Sequence, residues 1–149
     1  METGLKYPTF NIKIKYEGKK AMVFDEIRKK WVALNPEEWV RQHLINYLVT
    51  YKNVPKSLIS VEKEINLNGT RKRYDLVIYN SGLVPQVLIE CKAPDVLLNE
   101  QVAEQILRYN LNIGVRYLLI TNGIQEVVFQ VSDSETVTIR ELPDFSHFA

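Results

Sequence analysis

The chain is 149 residues long, with 46% hydrophobic and 25% charged residues, which suits one domain with a real core and is short for two. Its formal net charge of +1 excludes a protein that coats nucleic acid through bulk basicity, so any basic site must be local. The single cysteine, Cys91, excludes an internal disulfide and fits a reducing compartment. The N-terminus has no apolar run of signal-peptide length, and no stretch approaches the ~18 apolar residues of a membrane span. The expectation is a cytoplasmic domain without membrane contact.

Residues 1–34 read as a lead-in and a β-hairpin. The chain to Phe10 is loose, and Asn11 to Tyr16 alternates polar and apolar, as a half-buried strand does. Glu17-Gly18-Lys19-Lys20 makes a turn into a second short strand, Ala21 to Phe24. Ile27 to Leu34 is ambiguous, with Ile27, Trp31, Val32 and Leu34 apolar. Asn35-Pro36 then starts a helix, with Asn35 as N-cap and Pro36 at the first position, where a missing N–H costs nothing. Val40, Leu44, Tyr47 and Leu48 recur at helical spacing, and Val54-Pro55 ends the element. Leu58 to Leu67 alternates as a strand, Asn68-Gly69 turns it, and Tyr74 to Tyr79 returns. After Ser81-Gly82, the apolar run Val87 to Cys91 suits a central strand buried on both faces. A helix over about Leu98 to Leu111 follows, then strands at Val115 to Thr121, Glu126 to Val131 and Thr136 to Leu142, and a polar tail. The order predicts an α/β mixed sheet flanked by helices, one domain over 1–149, with its core over about 35–131 and a C-terminal strand and tail over 132–149.

Asp75 opens an otherwise apolar strand, where an unpaired carboxylate is costly. In Ile89-Glu90-Cys91-Lys92, strand alternation sends Glu90 and Lys92 to one face and Cys91 to the other. Adjacent strands lie roughly 4.8 Å apart, so Asp75 and Glu90 can share one divalent cation. Two carboxylates without a Cys/His set favour Mg²⁺ or Mn²⁺. Lys92 would orient a metal-bound water or stabilise charge developing on a phosphate, and the sequence does not separate these roles.

Asp75 followed by Glu90-Cys91-Lys92 resembles the PD-(D/E)xK nuclease superfamily, although Tyr74 replaces the proline of the motif name. Asn35-Pro36-Glu37-Glu38-Trp39-Val40-Arg41-Gln42 resembles the N-terminal nuclease domain of type I restriction enzyme R subunits, including short standalone relatives. Gln105 and Tyr109 match the Gln-x-x-x-Tyr pair of several branches. The resemblance runs from about Phe24 to Gly123. It implies a restriction-endonuclease-like fold and a Mg²⁺-dependent (or Mn²⁺-dependent) endonuclease that hydrolyses DNA phosphodiester bonds. Asp75 and Glu90 would bind metal, joined by the Cys91 backbone carbonyl. Lys92 and Gln105 would serve catalysis, with a helix carboxylate in support. Glu37 is favoured for that role, because it shares a face with Val40, Leu44 and Leu48, whereas Glu38 can close a capping box with Asn35. The implied partners are DNA and other restriction-modification subunits or a separate ATP-driven motor. The chain has no Gly-x-x-x-x-Gly-Lys-Ser/Thr phosphate loop with which to be that motor itself.

Plainer readings stand beside these. Glu90 and Lys92 would form a solvated pair on an edge strand, but the apolar run before them argues against an edge. Gln105 lies among Val102, Ile106 and Tyr109 and reads either as a satisfied buried amide or as a group serving the site. Arg71-Lys72-Arg73 is either a solvated hairpin edge or a phosphate contact, the latter carried by Arg71 and Arg73 together with Tyr109 on the DNA. Cys91 is a small buried apolar residue. As a whole, the alternative to an enzyme is a non-catalytic module that keeps the fold for binding nucleic acid or protein, and a weaker one is a phosphodiesterase for RNA or a small nucleotide.

Overall fold

Alternation and turn chemistry build two sheets in the computed structural model, which describes residues 4–67, 69–111 and 114–148. The first sheet is a meander of β1 (Ile14–Glu17), β2 (Lys20–Asp25) and β3 (Lys30–Ala33), each antiparallel to the next. Its β1–β2 turn uses Gly18 at φ 64°. The ambiguous stretch before Leu34 thus supplies a third strand, and the Trp31 ring packs on Phe24 with centroids 5.3 Å apart.

Helix α1 spans Pro36–Tyr51, and the Asn35 side chain accepts the Glu38 N–H at 2.7 Å. That is half of a capping box. The other half is not made, because the Glu38 carboxylate instead accepts bonds from Arg28, Arg41 and Gln42. Val40, Leu44 and Leu48 are fully buried along one stripe of the helix, each worth roughly 1.5–3 kcal/mol of hydrophobic stabilisation.

The second sheet has six strands in sequence order: β4 (Ile59–Leu67), β5 (Thr70–Tyr79), β6 (Pro85–Cys91), β7 (Tyr117–Thr121), β8 (Glu126–Val131) and β9 (Thr136–Ile139). All neighbours are antiparallel except β6 and β7, which run parallel. A parallel pair needs a crossover, and helix α2 (Glu100–Asn110) lies within it, capped by the Asn99 side chain. Of the expected turn between β4 and β5, Asn68 lies outside the described residues.

The sheet carries an apolar cluster on each face. On one face Leu76, Ile78, Val87, Ile89 and Cys91 pack with Val40, Leu44 and Leu48 of α1. On the other, Val77, Leu88, Leu118 and Ile120 pack with Leu98 and with Ala103 of α2. This is the expected mixed sheet flanked by helices, with β6 central as its apolar run required. The end of the chain departs from expectation. β9 stops at Ile139, yet Leu142 and Phe148 are buried in the α1-side core, and Phe145 packs against it. Two aromatic rings near the terminus, hidden among polar neighbours, turn the predicted polar tail into a core element.

Candidate active site

The last paired rung between β5 and β6 is Leu76 with Ile89. One residue further along each strand stand Asp75 and Glu90, so the register places the two carboxylates at the mouth of the same hairpin. Asp75 does not extend the backbone ladder. Its side chain takes over, and Oδ2 accepts the Cys91 N–H at 2.8 Å while Oδ1 accepts from Arg41 Nη2 at 2.9 Å. The neighbouring ladder is also interrupted here. Val61 pairs with Leu76 and Lys63 with Tyr74, but the rung between them is missing, and Glu62 sits at φ 52°. A left-handed backbone is uncommon for a residue with a side chain and clusters at functional sites.

Cys91 joins the α1-side core, so alternation sends Glu90 the other way, and the Glu90 side chain is mostly buried, at 13% exposure. Its Oε1 lies 2.7 Å from Lys72 Nζ and its Oε2 lies 3.8 Å from Lys92 Nζ. Among the described residues, no well-directed hydrogen bond reaches the buried Glu90 Oε1, so the contact with Lys72 is an ion pair off the hydrogen-bonding axis. Lys72 in turn lies 3.5 Å from Asn110 Oδ1, at the end of α2, and 5.1 Å from the centre of the Tyr74 ring. The Tyr74 hydroxyl donates to the same Asn110 oxygen.

Arg41 connects this mouth to a partly buried charge network. Its guanidinium reaches Glu38 at 3.1 Å, Glu37 at 3.5 Å and Glu62 at 3.6 Å, besides Asp75. Glu38 and Glu62 also pair with Arg28, at 2.9 and 3.5 Å, and Arg28 binds Asp25 on β2. Burial pushes the Asp75 carboxyl above its ordinary pKa; the Cys91 N–H and Arg41 pull it down without cancelling that effect, and Glu90 pushes it further up. Partial burial, and then the charge on Asp75, likewise raise Glu37, with Arg41 and Lys92 opposing. Glu37 is therefore within electrostatic reach of both Asp75 and Lys92. The Tyr74 hydroxyl is pushed up to about 12, first by burial and then by Glu90.

The structure thus brings together Asp75, Glu90, Lys92 and Glu37. Gln105 and Tyr109 lie on the exposed side of α2. Both are exposed, Tyr109 at 71%, and with Arg108 they line a surface groove of about 320 Å³. The reading of Gln105 as a satisfied buried amide fails, because α2 packs through Ala103, Val102, Ile106 and Leu107 and leaves the glutamine exposed. Arg71 is exposed and paired with Glu64, and Arg73 is exposed opposite Glu64 in the β4–β5 register. Two site residues carry no role in the sequence reading, Arg41 and Lys72. The signal for Arg41 was its spacing from Glu37 and Glu38, four and three residues on the same helix. Lys72 looked like part of an exposed basic run; it lies beyond the last β5–β6 rung, and its side chain reaches back to Glu90.

Asp75 and Glu90 offer hard oxygen donors, one of them a buried oxygen without a directed hydrogen bond. That donor chemistry fits a divalent cation that keeps several waters. Among the described residues, no group of three or more His, Cys, Asp and Glu side chains converges on one point, so protein ligands alone would not complete the shell.

A six-stranded mixed sheet between two helices, with a carboxylate pair where its central hairpin opens, defines a restriction-endonuclease-like nuclease fold. Residues 36–145 match the family described as the type I restriction enzyme R protein N terminus, and the chain belongs to that family. Among solved structures it is similar to a fragment assigned as the HsdR subunit of a type I restriction enzyme from Vibrio vulnificus YJ016, with TM-score 0.54 and 16% identity over 77% of this chain and 24% of that one. The chain therefore spans about a quarter of that structure's length. It is also similar to a protein assigned as a nuclease of DUF820 from Anabaena variabilis ATCC 29413, with TM-score 0.49 and 12% identity over 88% of this chain and 86% of that one. No curated protein matches the chain. Among the described residues, no helix is long and apolar enough to cross a membrane.

Proposed function

We propose that the chain is a Mg²⁺-dependent (or Mn²⁺-dependent) deoxyribonuclease domain that cleaves DNA phosphodiester bonds and works beside other restriction-modification subunits or a separate ATP-driven motor. The observation that carries this reading is the opening of the β5–β6 hairpin at Asp75 and Glu90, with Lys92 Nζ 3.8 Å from the Glu90 carboxylate. Asp75, Glu90 and the Cys91 carbonyl would hold the cation, with Glu37 beside them. Such a cation lowers the pKa of a bound water and offsets negative charge on the phosphate. Lys92 supplies a preorganised positive charge where the transition state becomes anionic. Gln105 would serve catalysis beside Lys92 or a phosphate, and Tyr109, Arg71 and Arg73, which are exposed, would contact the DNA, the two arginines through phosphates.

A calorimetric titration of Mg²⁺ and Mn²⁺ tests the metal site. The wild-type chain should bind weakly, and Asp75→Asn with Glu90→Gln should abolish binding while the protein stays folded. Incubation with linear, nicked, branched and single-stranded DNA, with Glu90→Ala as control, tests the chemistry. The second reading, a non-catalytic binding module, is favoured by one observation: Asp75 and Glu90 each already carry a cation, from Arg41 and Lys72. It takes the lead if wild type cuts no DNA with either metal.

A further inference from the structure

The two cations resident at the site differ in what each retains if it lets go. Arg41 is 6% exposed and keeps Glu37, Glu38 and Glu62 as partners if it leaves Asp75. A buried guanidinium with three further carboxylates has little reason to move. Lys72 is 35% exposed, and Glu90 is its one ion-pair partner among the described residues. Its other contacts, the Asn110 side-chain oxygen and the Tyr74 ring, are neutral. Lysine is also a compact charge on a flexible stem, able to re-enter water by rotating its outer bonds.

We propose that Lys72 is an internal stand-in for the divalent cation at Glu90, an ammonium that neutralises the carboxylate in the metal-free protein and is displaced when metal binds. The proposal rests on the metal-site reading above. It follows from charge and position. Glu90 is too buried to remain unpaired cheaply. The oxygen that Lys72 faces at 2.7 Å has no directed hydrogen bond to surrender. A dication and an ammonium cannot both sit against that oxygen without strong repulsion. The weak metal binding expected of this site would then have a cause in its own sequence, since the cation must first expel a charge.

The test is calorimetric titration of Mg²⁺ into the 149-residue chain as wild type, Lys72→Met, Lys72→Gln and Lys72→Arg, with thermal melts in chelator and in saturating Mg²⁺. Removing the competing charge should tighten Mg²⁺ binding on the order of tenfold in both neutral variants. Lys72→Gln retains a donor for Asn110, so it reports on charge if Lys72→Met folds poorly. Lys72→Arg should bind as weakly as wild type. In chelator the neutral variants should melt below wild type, and Mg²⁺ should raise their melting temperatures by more than it raises the wild-type value. Neutral variants that bind Mg²⁺ no tighter than wild type, in a protein whose Glu90→Gln form loses binding, would overturn the stand-in role and leave the metal site intact. A wild-type chain that binds no Mg²⁺ would overturn both.

Discussion

Arg41 Nη2 and Asp75 Oδ1 stand 2.9 Å apart, joining α1 to the open end of the β5–β6 hairpin. The contact orients one carboxylate oxygen, while the Cys91 N–H orients the other. A carboxylate that the sequence casts as half of a cation-sharing pair thus has a cationic partner within the protein itself.

The balance at Asp75 is open to measurement through pH. Burial outweighs the Cys91 and Arg41 bonds, so the folded carboxyl titrates above its ordinary value. The contribution to stability is then fully present below the unfolded pKa, about 3.9, and is lost as pH rises through the higher folded value. Asp75→Asn should therefore melt no lower than wild type near neutral pH in chelator. Its advantage should shrink as pH falls through the raised pKa towards the unfolded one. Melts across that range check this, and a mutant clearly less stable at neutral pH would mean that the Arg41 bond outweighs burial.

Asp25 has the opposite sign. Its side chain is fully buried and accepts the Ile27 and Arg28 N–H groups, the Arg28 Nε–H and the Gln42 amide. Burial alone would raise its pKa, but the bonds from Arg28 and Ile27 win and lower it. The stabilisation is present above the unfolded pKa and is lost as pH falls through the lowered folded value. Asp25→Ala leaves the Arg28 charge short of a partner, and such losses typically cost ~3–5 kcal/mol. Urea denaturation at neutral pH should show a cost of that order, with the gap narrowing in acid. A change under ~1 kcal/mol would mean that Glu38 and Glu62 suffice for Arg28.

Much of this was legible from local chemistry. Asn35-Pro36 fixed the start of α1 because a cap and a proline act within one turn. Glu90 and Lys92 could be assigned to one face because strand alternation is strict. Asp75 against Arg41, 34 residues apart, and Lys72 against Glu90, on neighbouring strands, are set by packing, which no short-range pattern encodes. The buried-amide reading of Gln105 failed for a related reason. The helix chose Ala103 and Leu107 over Tyr109 as its buried stripe, and small differences in rotation separate those choices.

Lys92 should serve the reaction and not the fold. Its ammonium is part-exposed and 3.8 Å from Glu90, and a protonated lysine has no lone pair with which to bind metal. Lys92→Ala should melt like wild type and retain Mg²⁺ binding. Under the proposed nuclease activity, cleavage should fall roughly a hundredfold, the effect of losing one preorganised charge worth ~3 kcal/mol. Lys92→Arg should rescue poorly, since a guanidinium is planar and cannot easily exchange a proton. Single-turnover cleavage at saturating metal decides this, and equal rates for wild type and Lys92→Ala would remove the role.

Phe148 should matter more than its place near the terminus suggests. It is 6% exposed, with its ring 5.6 Å from Tyr117 and 5.8 Å from Phe145. Phe148→Ala opens a cavity beside β7 and should cost ~3 kcal/mol. Thermal or chemical denaturation measures it, and a loss under ~1 kcal/mol would mean that Phe145 collapses into the space.

The match to the R protein N terminus begins at residue 36, and among the described residues no backbone ladder joins the three-stranded sheet to the six-stranded one. By hydrogen-bond topology the first sheet is an appendage. By charge it is not, since Arg28 reaches past that boundary to Glu38 and Glu62, the same carboxylates that share Arg41. Cutting the chain at Asn35 would leave Arg41 as the one cation paired with those two acids among the described residues and loosen its hold on Asp75. The electrostatic boundary of the nuclease core therefore lies at Asp25, one sheet earlier than its boundary by family.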